Sequence, residues 1–239
     1  MNDGNRKVPG LKQARTVGFT LIELLTVIAI IAILAAILIP TASGARMSAN
    51  RTRTRVLFAQ WAGAIESFRD EYGCYPAFAP GNKINAGATS GANGVHPFHD
   101  VLAGHRRDGS ALPASPAASA GNPPPPESQN HRRIRFFTFT AHELFPDTGG
   151  GDTRSNLVHD AFDNPDIAVL VDGNLDGVIN ATDYPVLPAV SPPDDGSRQL
   201  TPTEADFPTG PSGGVRAGVL FYCCPPRATD ASQMILSWK

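Results

Sequence analysis

A chain of 239 residues with 41% hydrophobic content has room for one ordinary core plus attachments. Its 23 glycines and 22 prolines leave much of it to loops. The net charge of −2 conceals an asymmetry: residues 1–139 carry 15 Lys and Arg against 8 Asp and Glu, and residues 140–239 carry 5 against 14. A basic front and an acidic back exclude a uniformly basic nucleic-acid binder and point to a membrane-proximal end and a solvated end.

Residues 1–18 are polar, with Arg6, Lys7, Lys12 and Arg15 against Asp3. Phe19 to Ile39 then forms a run of 21 residues whose one charge is Glu23. A helix of that length rises about 31 Å, the thickness of a bilayer core. A conventional signal peptide has a shorter apolar region, about 7–15 residues, ending at small residues. The run therefore reads as a transmembrane helix. An acid inside it is a functional-site candidate, since an unpaired charge in lipid costs a few kcal/mol. The plainer reading is that Glu23, five residues in, reaches the interface. Arg46, Arg51, Arg53 and Arg55 balance the leader's cations, so charge does not orient the span.

Gly18-Phe19-Thr20-Leu21-Ile22-Glu23-Leu24 resembles the cleavage and methylation motif of type IV pilins and type II secretion pseudopilins. Pro40 also matches a proline that the family places near the end of its apolar run. The resemblance implies cleavage after Gly18 by a prepilin peptidase/methyltransferase, N-methylation of Phe19, and assembly governed by Glu23. It also puts the leader in the cytoplasm and the C-terminal domain outside, with the helix in the inner membrane lipid. The partners implied are copies of this chain and other pilins or pseudopilins; nucleic acid is not among them. Cleavage leaves an ammonium on Phe19, and a neighbouring subunit's Glu23 can pair with it in lipid.

Beyond Pro40, where a bend is expected, Leu57, Trp61, Ile65, Phe68 and Tyr72 recur at helical spacing, and residues 40–73 read as an amphipathic continuation of the helix. Gly73 is a candidate C-cap, and Pro76 bars continuation. Residues 77–130, rich in Gly, Ala, Ser, Asn and Pro, carry no periodicity and read as a long low-complexity, disordered loop insertion. His96, His99, His105 and Asp100 within it are weak evidence for a metal site, because histidines at permissive spacing in such a tract are common.

Residues 131–239 read as an α+β globular domain, with strands at 133–139, 167–171 and 215–224 and a short helix at 141–145. The fold class expected is α+β: a long N-terminal helix continuing into a small antiparallel sheet. Asp160 to Pro165 is similar to a turn of G-type major pseudopilins, with Phe162 standing for its tryptophan. Ile235-Leu236-Ser237-Trp238 resembles the end of the same group. Cys74, Cys223 and Cys224 leave two alternatives open: one bridge from Cys74 to either partner, or three free thiols.

The chemical motif of this domain is residues 172–183, DGNLDGVINATD. Asp172, Asn174, Asp176, Val178 (through its carbonyl), Asn180 and Asp183 occupy positions one, three, five, seven, nine and twelve of a calcium loop, with Gly177 at the turn. Asp183 replaces the usual glutamate, and no helices flank the loop. The competing reading is an Asp/Gly turn with solvated acids. A calcium site also agrees with the resemblance to G-type pseudopilins. No nucleophile–base pair, phosphate loop or zinc set is present, so the chain reads as structural rather than enzymatic. The functions left are a pseudopilus or pilus-like subunit, a minor or tip pilin, or an anchored extracytoplasmic binding module that does not polymerise.

Overall fold

The computed structural model describes residues 19–78, 81–89, 94–113, 124–147, 153–208 and 213–239, with the backbone alone at 38–42. The chain divides into two compact units, Met1–Met47 and Ser48–Lys239.

Helix α1, Leu21–Tyr72, begins with Thr20 and Glu23 bonded to each other and ends where Gly73 takes φ +74 and donates to the Arg69 carbonyl at 2.7 Å. That is the left-handed cap expected of a glycine at this position. The helix carries on through Pro40.

In the first unit, the side chains from Leu21 to Ile37 are polar at Glu23 and Thr26 and otherwise apolar, and almost all are exposed. In the second unit, α1 buries Thr54, Phe58, Trp61, Ala64, Ile65 and Phe68. The stripe expected from the sequence is there, but it is centred on Phe58 and Trp61, with Leu57 and Tyr72 at its margins.

Three antiparallel strands lie in the order β1 (Ile167–Val171), β2 (Val219–Cys223), β3 (Ile235–Leu236). Ile167 faces Cys223 and Val171 faces Val219, and Tyr222 faces Leu236. The outer edge of β1 is covered, because Ile84 donates to the Ile167 carbonyl and Val169 donates to that of Asn82. Such coverage leaves no open ladder there for aggregation.

Period-two alternation sends β1 and β2 side chains into two different cores. Ile167, Val169, Phe221 and Cys223 meet Phe58, Trp61 and Ile65 of α1. Ala168, Leu170, Leu220, Tyr222 and Cys224 meet Tyr184, Val190, Phe207 and Leu236. The sheet is thus buried on both faces, by a helix on one and by ordered loops on the other.

Two expectations need correction. The stretch 133–139 forms no strand: the chain there is held by Phe136 and Phe137, whose amides both donate to the Leu102 carbonyl, at 2.9 and 3.0 Å. Its aromatics Phe136, Phe137 and Phe139 are partly buried against the core, so the apolar run reflects side-chain packing rather than strand pairing. Residues 77–130 are not wholly a surface loop. They include helix α2, Pro97–Ala103, in which Phe98, Val101 and Leu102 are fully buried, and the short helix α3, Pro126–Gln129. Seven residues are too few to show a helical period. Of the two alternatives left open for the cysteines, the structure has three free thiols: Cys74 is exposed, while Cys223 and Cys224 lie buried on opposite faces of the sheet.

Candidate functional site

The N-terminal site begins at Gly18, which lies outside the described residues. Phe19 is 78% exposed. Thr20 and Glu23 form a reciprocal capping box. The Thr20 amide and hydroxyl donate to Glu23 Oε2 at 2.8 and 2.7 Å, and the Glu23 amide donates to Thr20 Oγ1 at 3.3 Å. A helix start exposes unpaired amides, and this Thr-x-x-Glu spacing satisfies two of them. The Thr-x-x-Glu spacing is legible in the sequence, and it makes Thr20 the partner of Glu23. The carboxylate is thereby fixed one turn from the residue that cleavage would make the new N-terminus.

Eleven large apolar side chains between Leu21 and Ile37 are 48–81% exposed. Monomeric soluble proteins rarely leave so large an apolar surface bare. Among the described residues no helix is long and apolar enough to cross a membrane. The described side chains of the apolar run stop at Ile37.

The acidic loop leaves β1 at Asp172, whose amide donates to the Gly218 carbonyl at 2.9 Å. Asp172 is buried; its Oδ2 accepts from the Gly177 amide at 2.7 Å and its Oδ1 from the Asp176 amide at 3.3 Å. Asn174 Oδ1 accepts from the Asp176 amide at 2.9 Å, and Asp176 Oδ1 from the Val178 amide at 2.8 Å. Asn180 Oδ1 accepts from Thr182, and Asp183 Oδ2 from Asn180. Gly177, at φ +85, makes the sharp turn where the calcium spacing places a glycine. Leu175 also adopts a left-handed conformation, at φ +62.

Both ends of the loop are anchored. Ile179 and Val215 exchange backbone bonds at 3.0 and 2.9 Å, and the Tyr184 hydroxyl both accepts from the Val171 amide and donates to its carbonyl. Burial pushes the Tyr184 phenol up to about 12. The loop's oxygens are turned toward its own amides, and among the described residues no group of three His, Cys, Asp or Glu is placed to hold a metal.

The turn at 160–165 is a structural knot. Asp160 Oδ1 accepts from Phe162 and Asn164, and its Oδ2 from the Cys223 thiol at 3.2 Å. Asn164 Nδ2 donates to the carbonyls of Ser191 and Cys224 at 3.0 and 2.9 Å. Burial holds the Asp160 carboxyl above its ordinary range and drives the Cys223 thiol well above its own, so this cysteine is no nucleophile.

His96, His99, His105 and Asp100 do come together around α2, but through hydrogen bonds. His96 faces Asn85, His99 faces Asp100, and His105 Nδ1 faces the Arg106 carbonyl at 2.7 Å. Asn85, which ties this group to Val158 and Pro165, gives no sign of itself in the sequence.

An α+β domain carrying a capped, apolar N-terminal helix is the class these elements define. Residues 18–39 match the sequence family described as the prokaryotic N-terminal methylation motif. No curated protein and no solved structure matches the chain.

Proposed function

We propose that the chain is a type IV pilin-like structural subunit, cut after Gly18, methylated on Phe19, and assembled through its N-terminal helix. The observation that carries this reading is the methylation motif over residues 18–39, with Glu23 fixed on the first turn of an apolar helix. Membrane insertion of Phe19–Ile39, with the second unit outside the cytoplasm, follows from the same reading. Lipid, or the helices of neighbouring subunits, would cover the exposed apolar surface. The partners are the peptidase/methyltransferase that reads the motif, copies of this chain, and other pilins.

The test is mass spectrometry of the N-terminal peptide from protein isolated from its own cells. A methylated Phe19 is the expected result. Residues 1–18 still attached would leave an anchored binding module that does not polymerise.

Within this class we propose a subunit of a type II secretion pseudopilus or of a type IV pilus-like filament, with the pseudopilus favoured. The turn Asp160 to Pro165 and the segment Ile235 to Trp238, both similar to G-type major pseudopilins, support that placement. Calcium at 172–183 belongs to the same proposal, supported by the complete order of oxygen-bearing residues and by Gly177 at the turn. A bound ion would draw Asp172, Asn174, Asp176, Asp183 and the Val178 carbonyl inward, with Asn180 acting through water, and would stabilise the domain by mass action. Full-length protein in detergent should melt higher in millimolar calcium than in chelator, and Asp176→Ala should abolish the difference. An equal melting temperature in both would remove calcium and leave the filament reading standing.

A further inference from the structure

Asn85 is the hub of the α2 region. Its Nδ2 donates to the carbonyls of Val158 and Pro165 at 2.7 and 2.6 Å, and its Oδ1 accepts from the Val158 amide at 2.9 Å. These three bonds fix which end of the amide is oxygen. The same Oδ1 lies 2.8 Å from His96 Nε2, so that nitrogen carries the hydrogen. On the other side of the ring, His96 Nδ1 accepts from the His99 amide at 3.2 Å, capping α2. Both ring nitrogens are therefore assigned: Nε2 donates, Nδ1 accepts, and the imidazole is neutral.

We propose that His96 is an acid-operated latch: neutral, it caps α2 and ties it to Asn85, and a proton on Nδ1 opens the first turn of α2. Protonation sets an N–H against the His99 N–H, so the cap becomes a repulsion. It also places a cation in a fully buried site.

The charged groups around it decide the outcome. Asp100, on α2, accepts from the His96 amide through Oδ2 and faces His99 Nδ1 through Oδ1. It can therefore compensate a proton on His99 more readily than one on His96. His99 lies ring to ring with His96 at 6.1 Å and with His105 at 5.8 Å. From the segment after α2, the Arg107 guanidinium is buried without a hydrogen bond among the described residues and feels Asp100 and Asp147. From the 133–139 segment, Phe139 packs on His99 at 4.7 Å. Burial first, then Arg107 and His99, holds His96 well below the ordinary 6.5, and burial lowers His99 too.

The sign follows. The closed form binds fewer protons than the open form, so closure is fully present above about 6.5 and weakens as pH falls. Protonation of His96 multiplies the open population by up to about tenfold per pH unit below that value, and His99 acts in the same direction.

Opening would lift Phe98, which meets Trp61 edge-on at 5.3 Å, off the helix stripe. Trp61 then reports directly. Full-length protein in detergent, carrying Trp238→Phe so that Trp61 is its one tryptophan, is titrated from pH 7.5 to 4. A reversible red shift of emission is expected. His96→Asn keeps a capping oxygen and a donor toward Asn85 but does not titrate, and it should move the midpoint down by at least one pH unit. An unmoved midpoint, or no red shift by pH 4, overturns the latch. If His96→Asn fails to fold, histidine-labelled parent protein decides by nitrogen chemical shifts: the Nε2–H tautomer at neutral pH supports the latch, and an Nδ1–H or charged ring refutes it. Neither readout depends on filament assembly, so loss of the pilin reading would leave this one intact.

Discussion

The two ends of α1 obey different rules. From Leu21 to Ile37 the helix is apolar on every side and exposed, and Glu23 is the acid within it. From Thr54 to Phe68 it is apolar on one side, and that side is fully buried against a sheet. A helix apolar all round needs an apolar medium, whereas a helix apolar along one stripe needs a core of its own. One continuous element thus carries both an exposed apolar surface and a folding surface.

The largest effect that would sharpen this contrast is at Trp61. It is fully buried and lies 5.7 Å from Phe221 of the sheet and 5.3 Å from Phe98 of α2. Trp61→Ala should destabilise the second unit by about 3–5 kcal/mol, read as a lowered urea midpoint for the full-length protein in detergent. Val56, on the same stretch of helix but 52% exposed, should lose under about 0.5 kcal/mol on truncation to alanine. Equal costs at the two positions would dissolve the stripe.

Next comes Glu23→Ala. At this end no loss of folding is expected, because the side chain bonds only within the first turn. The expected loss is in assembly. On the proposed pairing with a neighbouring subunit's N-terminus, losing this carboxylate should cut filament or pseudopilus yield by on the order of tenfold or more, while leader cleavage continues. Unchanged yield of sheared filaments would mean that Glu23 serves only as a cap.

How much of this was legible follows the same division. The apolar run, the stripe, Gly73 as cap, and β1 at 167–171 each repeat one local rule over enough residues to be read. The order of acids and the glycine in 172–183 was also readable, because ligand spacing is local. What escaped was non-local. Phe98 and Leu102 sit in a tract dominated by Gly, Ala and Pro, and nothing nearby says that Trp61 receives them. RIRFFTF reads as a strand because its aromatics cluster, yet they are only partly buried, and the amides of Phe136 and Phe137 bond to one carbonyl at the end of α2. Asn85 and Asn164 are single polar residues whose amide groups donate to carbonyls 73–80 and 27–60 positions away.

Asn164 offers the next test, at the sheet rather than the helix. Its side chain satisfies two buried carbonyls, so Asn164→Ala strands both at once. A cost of about 2–3 kcal/mol is expected, and Asn164→Asp should be no milder, since a carboxylate cannot donate to either. The smallest effect is expected at Tyr184. Removing its hydroxyl takes one donor from the Val171 carbonyl and one acceptor from the Val171 amide, at the end of β1 where the acidic loop begins. Tyr184→Phe keeps the ring in the second core and should cost about 1–2 kcal/mol. The loss should appear first as faster hydrogen exchange at Val171, because that amide gives up its only side-chain acceptor among the described residues while the β1–β2 pairing stays intact. Exchange that stayed slow at Val171 would show the strand end to be held by the sheet alone, and the loop to be anchored without Tyr184, through Asp172 on Gly218 and Ile179 on Val215.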